Sequence, residues 1–110
     1  MVTFTLNAPV NVGTLTNPVN VSSLRVTGVV FSTTPALAQV GAGELAVTLT
    51  DPESGWQETV KYSDSSVIAF FGQAAPTPPA GATYQDVMAS AVLTKLIADG
   101  KLPAGTVTTA

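Results

Sequence analysis

The sequence predicts a mainly β domain of the α+β class: a small antiparallel sheet or sandwich with an extended N-terminal arm and one C-terminal helix. Three observations carry that expectation. Between Glu44 and Tyr62, two runs alternate apolar and polar residues around a turn containing Pro and Gly. Before Leu24, a nine-residue pattern with a Pro in each copy occurs twice in succession. After Thr83 comes an apolar segment of helix length with both a start and a stop signal. The implied divisions are an arm over 1–22, a β domain over 23–72, a Pro/Ala-rich linker over 73–83, and a helix with its tail over 84–110. That last part either belongs to the same single domain or docks on a neighbour.

The repeat comes first. Residues 7–15 read NAPVNVGTL and residues 16–24 read TNPVNVSSL, so Pro, Val, Asn, Val and Leu return in register. Two copies are too few for a solenoid, which needs about three or more units to bury a core. Pro9 and Pro18 each remove a backbone donor and bias the preceding residue towards extended geometry, which argues against a central strand. Two readings stand: short edge strands folded onto the parent sheet, or an arm that reaches a neighbouring subunit by strand addition. On the second reading Val10, Val12, Val19 and Val21 form the apolar edge offered to a partner.

Residues 24–31, LRVTGVVF, are a β-branched strand. The unbroken Val29, Val30 and Phe31 point to burial on both faces or to a bulge near Gly28. Residues 32–43 are a turn-rich connection in which 36–40 can form a short helical turn. In the hairpin, Leu45, Val47, Leu49, Trp56, Val60 and Tyr62 fall on one face by period two. Asp51 to Gly55 reverses the chain, because Pro52 presets φ and Gly55 can take positive φ. Glu58 is the exception on the apolar face and belongs at the sheet margin. Residues 63–66, SDSS, are turn chemistry, and 67–71, VIAFF, are a short buried strand or a turn of helix.

Residues 73–82, QAAPTPPAGA, form an extended linker. Fully stretched, it spans roughly 30 Å at about 3 Å per residue. Thr83 then opens a helix, with Asp86 three residues on as a short capping box. Gly100 is placed as the left-handed terminator, Lys101 favours the negative end of the helix dipole, and Pro103 prevents continuation. Apolar residues cover most of the circumference of this helix, which fits contact on more than one side. The sequence therefore points to Met88, Leu93 and Ile97 as residues offered to another subunit.

Composition narrows the function classes. One domain of 110 residues has room for a single modest core. Charged residues make up 10% of the chain, against roughly a quarter in ordinary soluble domains, so a lone copy would have a thinly solvated surface. Part of that surface is expected to be covered by partner chains. Few Lys and Arg and a net charge of −3 exclude a basic nucleic-acid-binding face. The start lacks the basic and long apolar pattern of a secretory signal, and no run approaches membrane-spanning length, so a soluble protein made in a cytoplasm and without a membrane partner is expected.

Neither Cys nor His occurs, which removes thiolate chemistry together with the commonest general base and transition-metal ligand. Asp51 and Glu53 share a turn and Asp64 sits towards the far end of the hairpin, but their spacing is not that of an EF-hand loop. Ser65 and Ser66 have no His or Lys arranged around them as a base, so nucleophilic catalysis is not expected. Residues 41–43, GAG, lack the pattern of a phosphate cradle. Trp56 and Tyr62 could stack on a sugar only if their face were solvated, and Leu45, Val47 and Leu49 share it. The sequence therefore assigns no catalytic, cofactor-binding or metal-binding residue, no small-molecule substrate and no enzymatic activity.

The Gly55-Trp56 and Val60-Lys61-Tyr62 segments of the hairpin, the PTPPAG linker and the ending KLIADGKLPAG together resemble the small structural proteins of tailed bacteriophages: decoration proteins, adaptors and minor tail components. The resemblance spans roughly the last two thirds of the chain and carries no site residues with it. It implies a non-enzymatic protein of the virion that assembles into, or stabilises, a capsid, neck or tail, with copies of itself and other virion proteins as partners. A carbohydrate- or surface-binding β module is the alternative.

Overall fold

The structure, a computed structural model, describes residues 2–74 and 77–109. Among the described residues, five strands and three helices follow one another as β1 (Val2–Asn11), β2 (Asn20–Ser32), α1 (Pro35–Gln39), β3 (Gly43–Thr50), β4 (Gln57–Asp64), α2 (Ser65–Phe71), α3 (Tyr84–Ala98) and β5 (Gly105–Thr109). Of the two arrangements expected, sheet or sandwich, the strands make one antiparallel sheet in the order β4-β3-β2-β1-β5. Consecutive strands β1 to β4 form a meander, and β5 returns to lie along the free side of β1.

The long strand β2 joins two ladders end to end. Its first part pairs with β1, from Asn11↔Asn20 to Phe4↔Leu24. Its second part pairs with β3, from Arg25↔Thr50 to Ser32↔Glu44. The register slips between Val26 and Gly28, which is the bulge expected near that glycine.

The repeat turns out to be a hairpin whose two arms are its two copies. Val10 lies opposite Val21 and Asn11 opposite Asn20, and the Val12 N–H donates to the Val19 carbonyl at 2.9 Å. Each Pro-Val-Asn-Val segment thus pairs antiparallel with the other. Between them the chain turns on Gly13, where a Cβ would lie 2.3 Å from the Asn17 carbonyl oxygen. The Thr14 hydroxyl accepts from the Asn17 N–H at 3.0 Å and secures the same turn.

The first segment is therefore an inner strand rather than an arm, and this corrects the expectation for 1–22. Pro9 is tolerated because it lies past the end of the β1–β5 ladder, which closes at Leu6↔Gly105. It also falls within the irregular stretch of the β1–β2 register, between Thr5 and Val10. A missing donor costs little where one neighbour is absent and the other ladder is already interrupted.

One face of the sheet is covered by helices. Phe4, Val21, Leu24, Leu45, Val47 and Leu49 from the strands meet Val67 of α2 and Ala89, Val92, Leu93 and Leu96 of α3 in a single core. The helical residues are spaced i, i+3, i+4 and i+7, the stripe that one helix face needs to bury itself. The other face carries Thr3, Thr5 and Ser23 on one half and Thr48, Thr50 and Thr59 on the other, with Thr27 bonded to Thr50 by their hydroxyls at 2.8 Å.

The hairpin is as expected, with Leu45↔Tyr62, Val47↔Val60 and Leu49↔Glu58, the last pair lying at the margin. Helix α3 begins with the expected capping box: the Asp86 N–H donates to Thr83 Oγ1 at 3.1 Å and the Thr83 N–H to Asp86 Oδ2 at 3.1 Å. Gly100 follows its end with φ 71°. The linker is only partly extended. The Ala82 N–H bonds back to the Pro79 carbonyl at 3.0 Å and Gly81 has φ 84°, so a turn feeds the chain into α3. Ala75 and Pro76 of the linker lie outside the described residues. Strand β5 was not anticipated. GTVTT is too short for periodicity, and its pairing with β1 spans nearly the whole chain.

Candidate functional site

The densest group of polar side chains lies where the end of β4, the start of α2 and the last turns of α3 meet. Asp64 ends β4 and caps α2: its Oδ1 accepts from the Val67 N–H at 3.1 Å and from the Ser66 hydroxyl at 2.5 Å. Lys95 reaches across from α3 and donates to Ser66 Oγ at 3.0 Å and to Asp99 Oδ2 at 3.0 Å. Tyr62, two residues before Asp64, donates its hydroxyl to the same Asp99 oxygen at 2.7 Å. The Lys95 side chain is only 8% exposed, and its ammonium also lies 5.6 Å from the centre of the Phe70 ring. Lys101 lies over the Tyr62 ring at 5.1 Å.

These contacts set the electrostatics. Hydrogen bonds from Tyr62 and then Lys95 hold the Asp99 carboxyl below the usual range. The Ser66 hydroxyl does the same for Asp64. Desolvation, followed by the hydrogen bond to Asp99, pushes the Tyr62 phenol well above its ordinary value.

Ser66 thus has a lysine at hydrogen-bonding distance, contrary to the expectation that none is arranged around it. The pairing joins residues 29 apart, so nothing local in the sequence shows it. The geometry is that of a brace. Lys95 bonds to both oxygens and forms an i,i+4 ion pair with Asp99. The Ser66 proton is engaged by the carboxylate that caps the helix. What the cluster does is fasten α3 to the β4–α2 corner.

Of the other carboxylates singled out, Glu53 is exposed and Asp51 is engaged. Asp51 is 2% exposed, accepting from the Glu53 N–H at 3.0 Å and the Ser54 hydroxyl at 2.7 Å inside its own turn. It lies at the opposite end of β4 from Asp64, so the two do not converge. Among the described residues no group of three acidic, His or Cys side chains is close enough to hold a metal ion. No described helix is long and apolar enough to cross a membrane. Trp56 is half-buried and packs against the core, and Tyr62 does the same while its hydroxyl serves Asp99.

The residues expected at an interface are distributed unevenly. Leu93 and Val21 are fully buried in the chain's own core, because α3 docks on its own sheet and the repeat pairs with itself. Val12, Val19 and Ile97 are half-buried against that core. Val10 and Met88 remain at the surface, at 37% and 42% exposure. The second apolar flank of α3 faces its own α2. Tyr84, Val87, Met88 and Ala91 line a cleft of about 300 Å³ whose other wall is Phe70 and Phe71. Phe71 stacks in turn on Phe31 of β2 with ring centres 4.4 Å apart.

On the far side of α3, Thr83, Gln85 and Asp86 face Arg25 and Thr27 of β2 across an open groove. The Arg25 Nε is buried there without a hydrogen-bond partner among the described residues. Leu15, at the tip of the repeat hairpin, is fully exposed on a turn that is hydrogen-bonded on both sides.

Comparison with known protein families, curated proteins and solved structures finds no match for this chain.

Proposed function

We propose that this chain is a non-enzymatic structural protein of the virion, which assembles into or stabilises a phage capsid, neck or tail through contacts with copies of itself and with other proteins of the particle. The observation that carries the reading is the surface. Leu15, Val30, Val40, Tyr84 and Met88 stand exposed in a chain only 10% of whose residues are charged. Scattered exposed apolar residues are ordinary, but here they occur with a broad sheet face of threonines and few charges to keep copies apart. The resemblance of the hairpin, linker and ending to small phage structural proteins supplies the virion context.

A carbohydrate-binding module would present Trp56 and Tyr62 as a stacking platform. Their packing against the core and the Asp99 bond favour the assembly reading over that one. The test is the native mass at micromolar concentration, by sedimentation, alone and with the proteins of the parent particle. Assembly beyond the 11.1 kDa monomer supports the proposal. A chain that stays monomeric in both settings, with Trp56 fluorescence quenched by added saccharide, overturns it.

A further inference from the structure

We infer that strand β5 is a docking edge for the β5 of a second copy, joining two sheets into one across a twofold axis at Val107; this rests on the assembly reading above and specifies its contact. The inference begins with the backbone. The Asn7 N–H donates to the Ala104 carbonyl at 3.0 Å, immediately beyond the Leu6↔Gly105 pair. In an antiparallel ladder, opposed residues alternate between pairs that exchange hydrogen bonds and pairs that do not. Counting from Asn7 and Ala104, the bonded pairs are Thr5↔Thr106 and Thr3↔Thr108. The backbone groups of Gly105, Val107 and Thr109 therefore point away from β1. β5 is the last strand of the sheet on that side, and no hydrogen bond among the described residues uses those groups.

The two edges of the sheet differ in chemistry. β4, at the opposite edge, carries Glu58, Lys61 and Asp64, and charged residues on an edge strand deter pairing with another chain. β5 reads GTVTT, with no charge and no proline. Its free groups are also self-complementary. An antiparallel partner centred on Val107 sets Val107 against Val107 and Gly105 against Thr109, so every outward donor meets an outward acceptor. On the open face, Thr106 then lies beside the second copy's Thr108, a favourable cross-strand pair. Both threonines are exposed, so their side chains are free to make it. On the other face Val107, half-buried against the core beside Phe4, meets its own counterpart.

The test uses the full chain and two double variants on the open face. With Thr106→Lys and Thr108→Lys together, each lysine faces a lysine across the axis. With Thr106→Lys and Thr108→Glu, each lysine faces a glutamate. The wild type and the Lys/Glu variant should sediment at twice the 11.1 kDa chain mass or a multiple of it, and the Lys/Lys variant should lose that association while keeping its circular dichroism. Amide exchange gives an independent readout. The Val107 N–H should be protected in the wild type and lose protection in the Lys/Lys variant, while the Thr106 and Thr108 N–H groups stay protected by β1 in both. Association that survives unchanged in the Lys/Lys variant overturns the β5 contact and leaves the assembly reading standing on another surface. A monomeric wild type with a fast-exchanging Val107 also overturns it, and leaves assembly to partners of different sequence.

Discussion

The Tyr62 hydroxyl donates to Asp99 Oδ2 at 2.7 Å, tying the edge strand β4 to the residue that ends helix α3. The same oxygen takes the Lys95 ammonium, so one carboxylate holds a strand and its own helix at once. With Lys95 also on Ser66, the three elements around the corner are joined by side-chain hydrogen bonds.

Replacing Tyr62 by Phe removes the hydroxyl and leaves the ring in place. The expected loss is about 1.5 kcal/mol, the low end of the range for a hydrogen bond to a charged group, since this one keeps some access to water. A thermal melt should register it as a fall of several degrees in Tm. No change in Tm would show that the bond contributes nothing.

Acid should weaken the fold through the same residues. Asp99 and Asp64 are held below the ordinary carboxylate value, so the folded state binds their protons less readily than the unfolded one. Their contribution is complete above the unfolded value and is lost as pH falls through about 4 and below. Tyr62 has the opposite sign. Its phenol is raised in the folded chain, so its contribution is complete below about pH 10 and is lost above that. Denaturant midpoints across pH should give a plateau between these limits, with the acid limb shallower in Tyr62→Phe.

Leu93→Lys should unfold the isolated chain, whereas Met88→Lys should not. Leu93 is fully buried among the sheet and helix residues, and even Leu93→Ala is expected to cost about 2–5 kcal/mol. Met88 lies at the surface, where substitutions usually stay within about 0.5 kcal/mol. Circular dichroism of the two variants decides it. A folded Leu93→Lys would return that residue to the interface role expected of it from sequence.

Removing residues 1–21 should likewise abolish folding. β1 lies between β2 and β5 and contributes the fully buried Phe4 to the core. A truncated chain with native-like near-ultraviolet dichroism would contradict this placement.

Gly105→Ala should destabilise by about 1–3 kcal/mol, the range for forcing atoms into a packed site. A Cβ there would lie 2.4 Å from the Thr5 carbonyl oxygen and 2.6 Å from the Phe4 ring. The β1 backbone is fixed by two ladders and Phe4 by the core, so neither can yield cheaply. Urea unfolding of the variant measures it.

What could be read in advance was local. Alternation over residues 45–49 and 58–62 set the hairpin and its buried face, since both faces of a strand are encoded at period two. Thr83, Asp86 and Gly100 marked the ends of α3 by chemistry confined to a single turn. A bulge near Gly28 is one of the two readings that the broken alternation of β2 leaves open, and the register slip there selects it. The repeat was visible as a repeat, but its meaning was not. Pro9 and Pro18 argue against a central strand only if both neighbours need their donors, and the β1–β5 ladder ends before Pro9 is reached.

The sequence by itself determined a chain without thiol or imidazole chemistry, an antiparallel hairpin with one apolar face, and a capped C-terminal helix. Each of these follows from residue identity or from neighbours within a turn. Only the tertiary structure decided that the repeat pairs with itself, that Leu93 belongs to the chain's own core, that Lys95 stands beside Ser66, and that β5 closes one side of the sheet with an unguarded edge. Those are contacts between residues far apart in the chain. They are set by which faces can be buried together and which backbone groups are left unpaired, and no short stretch of sequence carries that information.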